Sequence, residues 1–182
     1  KENQDSLTWV KWAWTGLRAY TELGDLEQIQ IIQKNVQRML RGCDCPCEFK
    51  LLEARFELEN GFVGRAMERF DFVQVHSQDP WFQNQSIFGK AICDVFLKNY
   101  SQSLEKFQSL VNKEFDLEIQ TSALIGLAQA EHALGSVELS LKTLTRAFFK
   151  ARDDRNVYSM SVVLMARIEI YLIQGKFIEA EK

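Results

Sequence analysis

The fold is first legible in the stretch NGFVGRAMERF at residues 60–70, because its order of residue types returns along the chain. It is echoed in LGDLEQI at 23–29, KNYSQSLEKF at 98–107, LGSVELSL at 134–141 and QGKFIEAEK at 174–182. With Gly24, Gly61, Lys98, Gly135 and Gly175 taken as equivalent, the spacings are 37, 37, 37 and 40 residues. Two residues after each stands an apolar or aromatic residue: Leu26, Val63, Tyr100, Val137 and Phe177. Five after come Ile29, Ala66, Ser103, Ser140 and Ala180, and nine after come Gln33, Phe70, Phe107 and Leu144. Seven before come Leu17, Ala54, Ala91, Ala128 and Ile168, and ten before come Trp14, Leu51, Phe88, Ile125 and Met165. Agreement at several offsets marks an internal repeat.

Working outward, the segments between these turns carry long helical apolar patterns and no strand-like alternation, with only two prolines to interrupt them. Short turns alternate with longer polar connections at 42–47, 77–80, 113–116 and 153–156. That is the rhythm of helical hairpins. Small residues at fixed offsets let helix backbones approach, and larger ones fill the neighbouring holes. One such hairpin cannot bury its apolar face alone, so the units are expected to stack with a continuous core. The units run over 6–42, 46–77, 79–113, 116–152 and 156–182, the last incomplete, so the chain is expected to be part of a longer one. Asp25 with Gln28 and Asn99 with Gln102 have capping-box spacing. Asp79-Pro80 reads as a cap followed by proline in the first turn.

Composition bounds the function. The 182 residues are 46% hydrophobic and 26% charged, too apolar for a disordered chain. A formal charge of −3 provides no general attraction to nucleic acid or anionic lipid. No apolar run approaches the roughly 18 residues of a membrane span. Cys43, Cys45 and Cys47 are crowded in one loop and Cys93 stands apart. Their spacing lacks the two separated pairs of a structural zinc site, so they read as free thiols in an intracellular protein, cytoplasmic or nuclear, with no metal and no cofactor, while nothing in the sequence forbids two of the four from pairing. There is no Gly-rich phosphate loop, G-x-S-x-G or H-E-x-x-H, so the chain is read as non-enzymatic. Glu57, Asp94 and Glu131 recur once per unit and read as repetition rather than a catalytic carboxylate pair. Lys142, Arg146, Lys150, Arg152 and Arg155 form a basic stripe diluted by Glu138, Asp153 and Asp154, and it reads as a solvated face. Trp9, Trp12 and Trp14 read as packing residues of the first helix.

The repeated segments quoted above resemble the tetratricopeptide repeat (TPR) superfamily: its turn, then its aromatic, then its small second-helix residue. The resemblance departs in unit length and in the acidic residues Glu57, Asp94 and Glu131, which stand where the family has an aromatic or large apolar residue. It implies an all-α, right-handed α-solenoid of stacked antiparallel hairpins whose first helices line a concave groove. Carried over unit by unit, ten before the turn gives Trp14, Leu51, Phe88, Ile125 and Met165. Six before gives Arg18, Arg55, Ile92, Gln129 and Glu169, and thirteen before gives Lys11, Glu48, Gln85, Ser122 and Val162. The partner-binding set expected on this basis is Lys11, Trp14, Arg18, Leu51, Arg55, Phe88, Ile92, Gln129 and His132. Apolar residues stand where several members of the family's Lys/Asn/Arg carboxylate clamp would be, which disfavours that activity. The function implied is a non-catalytic scaffold segment, part of a subunit of a larger multiprotein complex, that holds a protein partner's segment in the groove. The alternatives are a nucleic-acid-binding helical repeat and a ligand-sensing repeat domain of a signalling regulator.

Overall fold

The computed structural model describes residues 46–112 and 117–180, together with residues 16, 27, 28, 30–32, 34 and 35. The described chain from residue 46 onward is helical, with α1 Pro46–Glu59, α2 Val63–His76, α3 Pro80–Phe96, α4 Tyr100–Val111, α5 Leu117–Ala133, α6 Val137–Asp153, α7 Val157–Ile173 and the short α8 Phe177–Ala180. Consecutive helices pack on one another throughout, and no strand occurs among the described residues. First helices also touch the next first helix, α1 with α3, α3 with α5 and α5 with α7. The second helices make no contact of that extent among the described residues. The first helices therefore form the inner side of the stack.

The turn residues share one backbone conformation. Gly61, Lys98, Gly135 and Gly175 have φ of 80°, 61°, 83° and 70°. Each sits two residues past the last residue of a helix, and its own amide and the next one return to carbonyls of the last turn. Gly61 N–H donates to Leu58 and Phe62 N–H to Glu57, Lys98 to Val95 and Asn99 to Asp94, and Gly135 to His132 and Ser136 to Glu131. This is the Schellman closure, which satisfies carbonyls at the helix end. Lysine at the left-handed position costs about 1–2 kcal/mol. Lys98→Gly should stabilise the protein by roughly 0.5–1 kcal/mol once glycine's larger unfolded-state entropy is subtracted. A urea midpoint that is unchanged or lower would contradict the assignment.

Capping is simpler than the spacing suggests. Asp79 accepts from Trp81 N–H at 2.7 Å, and Pro80 opens α3 as expected. Asn99 makes no side-chain cap bond, so the expected Asn99/Gln102 box is absent. Its φ and ψ of −83° and 55° are set by the preceding left-handed turn and lie outside the extended region a capping side chain uses. Asp25 lies outside the described residues.

The small columns sit where helices are closest. Ala54, Ala66, Ala91, Ser103 and Ser140 have no exposed surface, and Ala128 is 1% exposed. Ser140 Oγ donates to the Ala128 carbonyl at 2.7 Å, fastening α6 to α5. Between hairpins the nine-after column inserts rings into glycine gaps. Phe70 of α2 lies against Gly89 of α3, and Phe107 of α4 against Gly126 of α5. A Cβ at either glycine would fall well inside van der Waals contact with the ring. At the third junction the same positions hold Leu144 and Ala166, both in the third core cluster.

The acidic column has a local purpose. Glu57 accepts from Arg69 Nε at 2.6 Å, and Asp94 accepts from Lys106 Nζ at 2.6 Å. Glu131 is hydrogen-bonded to Thr143. Each partner stands twelve residues after its acid, so a polar pair ties the two helices of each of these three hairpins. At Glu57 and Asp94 the repeated acids thus form a charged pair with the second helix, and at Glu131 a hydrogen bond to a hydroxyl. The pairs differ in quality. Glu131 is 3% exposed and its Oε2 has no hydrogen-bond partner. Burial raises its pKa, and the Thr143 bond and the Arg146 charge offset this only in part.

A carboxylate whose folded pKa is raised favours the protonated folded protein. Its ionisation lowers stability as pH rises from the unfolded value, about 4.3, through the raised folded one. Glu131→Gln should therefore raise the melting temperature at pH 7, and the gain should shrink to near zero below about pH 4. A melting temperature lowered at pH 7 would show that the charged form is the stabilising one.

Candidate partner-binding groove

The inner face of α3, α5 and α7 holds a cleft of about 340 Å³. Phe88, Ile92 and Val95 come from α3, Ile125 and Gln129 from α5, and Val162 from α7. Phe107, packed edge-on to Phe88 with ring centroids 5.9 Å apart, closes the floor beside Gly126. Phe96 and Tyr158 stand at the rim, 62% and 47% exposed. The polar lining is Ser122, Gln129, Ser159 and the Tyr158 hydroxyl, and no charged side chain among the described residues lines the cleft. Large apolar side chains at such a surface favour contact with another apolar group, and the few neutral polar groups can orient it.

The expected site residues divide clearly. Phe88, Ile92 and Gln129 meet in this cleft, joined by Ser122, Ile125 and Val162 from the same carried-over columns. His132 lies one turn further along α5, in a smaller recess with Gln129, Glu169 and Ile173. Leu51 requires a correction. It is completely buried among Phe70, Phe82 and the rest of the first core cluster, so it packs hairpins together and offers no partner surface. Arg55 is also corrected: rather than an open cationic edge, it is engaged by Glu59 one turn along α1, with its side chain 20% exposed. Lys11, Trp14 and Arg18 lie outside the described residues. Sequence reasoning missed Val95, Phe96 and Tyr158. The first two close α3 three and two residues before its turn, where Leu58 and Glu59 stand one unit earlier.

The remaining candidates are placed as follows. Cys43, Cys45, Trp9 and Trp12 lie outside the described residues. Cys47 is half-buried against the first core cluster. Cys93 is buried, and burial together with the adjacent Asp94 pushes its thiol pKa up to about 12, so it is a protonated packing group at neutral pH. Among the described residues no group of three His, Cys, Asp or Glu side chains is suited to a metal ion. In the basic stripe, Arg152 bonds Asp153 at 3.1 Å and lies over the Phe149 ring, while Lys150 pairs with Asp154. Two of the five stripe residues are therefore already engaged within the chain, on the second-helix side away from the cleft. No helix among the described residues is long and apolar enough to cross a membrane.

No family model matches the chain, and no curated protein matches it in sequence. A solved structure does match in fold: a variant of a Podospora anserina protein described as a kinesin light chain, with nearly identical TPR-like repeats. The two are 17% identical, with a TM-score of 0.59, over 94% of this chain and 89% of that one. That likeness and the stacked hairpins with their shared turns lead to one conclusion: the chain folds as a TPR-like α-solenoid of stacked helical hairpins.

Proposed function

We propose that this protein is a non-catalytic scaffold segment that holds a partner protein's segment along its first-helix groove, as part of a subunit of a larger intracellular complex. The observation carrying this reading is the gathering of Phe88, Ile92, Ser122, Ile125, Gln129 and Val162, all from carried-over groove columns, in one uncharged cleft. A rigid stack keeps such a surface in shape, so little ordering cost falls on the scaffold when a partner docks. Exposed aromatics at the rim, Phe96 and Tyr158, are the side chains best suited to anchor the contact.

Phe96→Glu with Tyr158→Glu tests this. Both residues are exposed, so helical content and melting temperature should change little. Pull-down from cell extract with mass spectrometry should identify proteins retained by the wild type. Their affinity for the double variant should fall at least tenfold, the usual consequence of losing hot-spot aromatics. Unchanged retention on a folded variant would move the functional surface elsewhere.

A further inference from the structure

The groove is not uniform, and comparison of its junctions singles out one position. At the first junction, between α1 and α3, the residues equivalent to the cleft lining differ in kind and burial. Leu51 and Leu58 are 0% and 5% exposed, and Arg55 pairs with Glu59 along α1 where Ile92 and Phe96 stand one unit later. At the junction spanning α3, α5 and α7 the described residues leave an opening. The unit from Gly135 to Gly175 is 40 residues rather than 37. Helix α6 is 17 residues where α4 is 12, and α7 packs less extensively on α5 than α5 does on α3. The result is a cleft of about 340 Å³ over the Phe107 ring.

That volume lies within the range of small-molecule sites, roughly 300–1,000 Å³. The lining also selects among ligands. With no charged group among the described lining residues, an ionised ligand would lose its hydration without a compensating partner there. Ser122 and Gln129 instead offer a neutral donor and acceptor within apolar walls. We propose that this cleft binds a small, uncharged, mainly apolar molecule carrying one hydroxyl or amide group, independently of any protein partner.

The test uses 2-naphthol, a neutral fused ring with one hydroxyl, against naphthalene-2-sulfonate, the same ring with a fixed charge. Isothermal titration of the whole protein should show saturable one-to-one binding of 2-naphthol and at least tenfold weaker binding of the sulfonate. Val162→Trp should fill the cleft and abolish binding while retaining the wild-type circular dichroism. Should that variant fail to fold, Ser122→Trp fills it from the opposite wall. Absence of saturable 2-naphthol binding, equal affinity for the sulfonate, or binding that survives in a folded, filled variant would each overturn the proposal. None of these results depends on the partner pull-down, so the two readings can fail separately.

Discussion

Gly126→Ala should lower stability by about 1–3 kcal/mol, the range for forcing extra volume into a packed core. The sign runs against helix propensity, since alanine in a helix interior is ordinarily more stable than glycine by about 1 kcal/mol. The reason is geometric. The Phe107 ring, 1% exposed, rests on the bare backbone of α5 at Gly126, where a Cβ would enter the ring. A shift of the ring is not free, because Phe107 is also held edge-on by Phe88 and belongs to the second core cluster. Compensation is the sharper test. Phe107→Leu alone should cost roughly 1 kcal/mol or more from the space it vacates. Phe107→Leu combined with Gly126→Ala recreates the Leu144 and Ala166 arrangement of the next junction, and should be clearly more stable than the two losses added together. Thermal and urea unfolding of the four proteins gives the coupling. Additive losses would mean the ring and the glycine do not share one contact.

Lys106→Met should destabilise the protein by roughly 2–3 kcal/mol. Removing one partner of a buried ion pair typically costs about 3–5 kcal/mol, and the lower figure allows for the partial exposure of Lys106. Its side chain is 27% exposed, whereas that of Asp94 is 3% exposed. Loss of the ammonium leaves the Asp94 carboxylate enclosed between α3 and α4 without its cation. Methionine keeps the length and apolar stem, so the loss reports the charge rather than packing. In an Asp94→Asn background the same substitution should cost much less, because a neutral amide tolerates the site better than a lone carboxylate. Equal cost in both backgrounds would show that Lys106 acts through its stem alone.

These contacts indicate how far the fold could be read from residues. The unit length was legible because Gly61, Lys98, Gly135 and Gly175 perform one stereochemical task, and even lysine adopts the left-handed conformation there. The small columns were legible because every hairpin needs a close approach at the same height. The acidic column was visible as a departure, but its purpose was not. Its partners lie twelve residues on, across a turn, and their types vary from arginine to lysine to threonine. The glycines under Phe70 and Phe107 went unread, although nine residues before the turn Gly89, Gly126 and Ala166 form a small column of their own. In the groove, the columns carried over from the resemblance named Phe88, Ile92 and Gln129, which line one cleft. They did not distinguish Leu51, because burial depends on how tightly neighbouring hairpins close, and that varies from junction to junction. Arg55 was misread for a related reason: its partner Glu59 is four residues away on the same helix, a local pairing that repeat columns do not reveal.

The central claim is that partners dock on the first-helix face. A photo-crosslinking residue placed at Gln129, exposed beside the cleft, tests it most directly against the same residue placed at Glu105, exposed on the second-helix side. Irradiated in cell extract, the Gln129 position should yield discrete crosslinked partners that Phe96→Glu with Tyr158→Glu removes, and the Glu105 position should yield none above background. Discrete adducts from Glu105 with none from Gln129 would contradict the account.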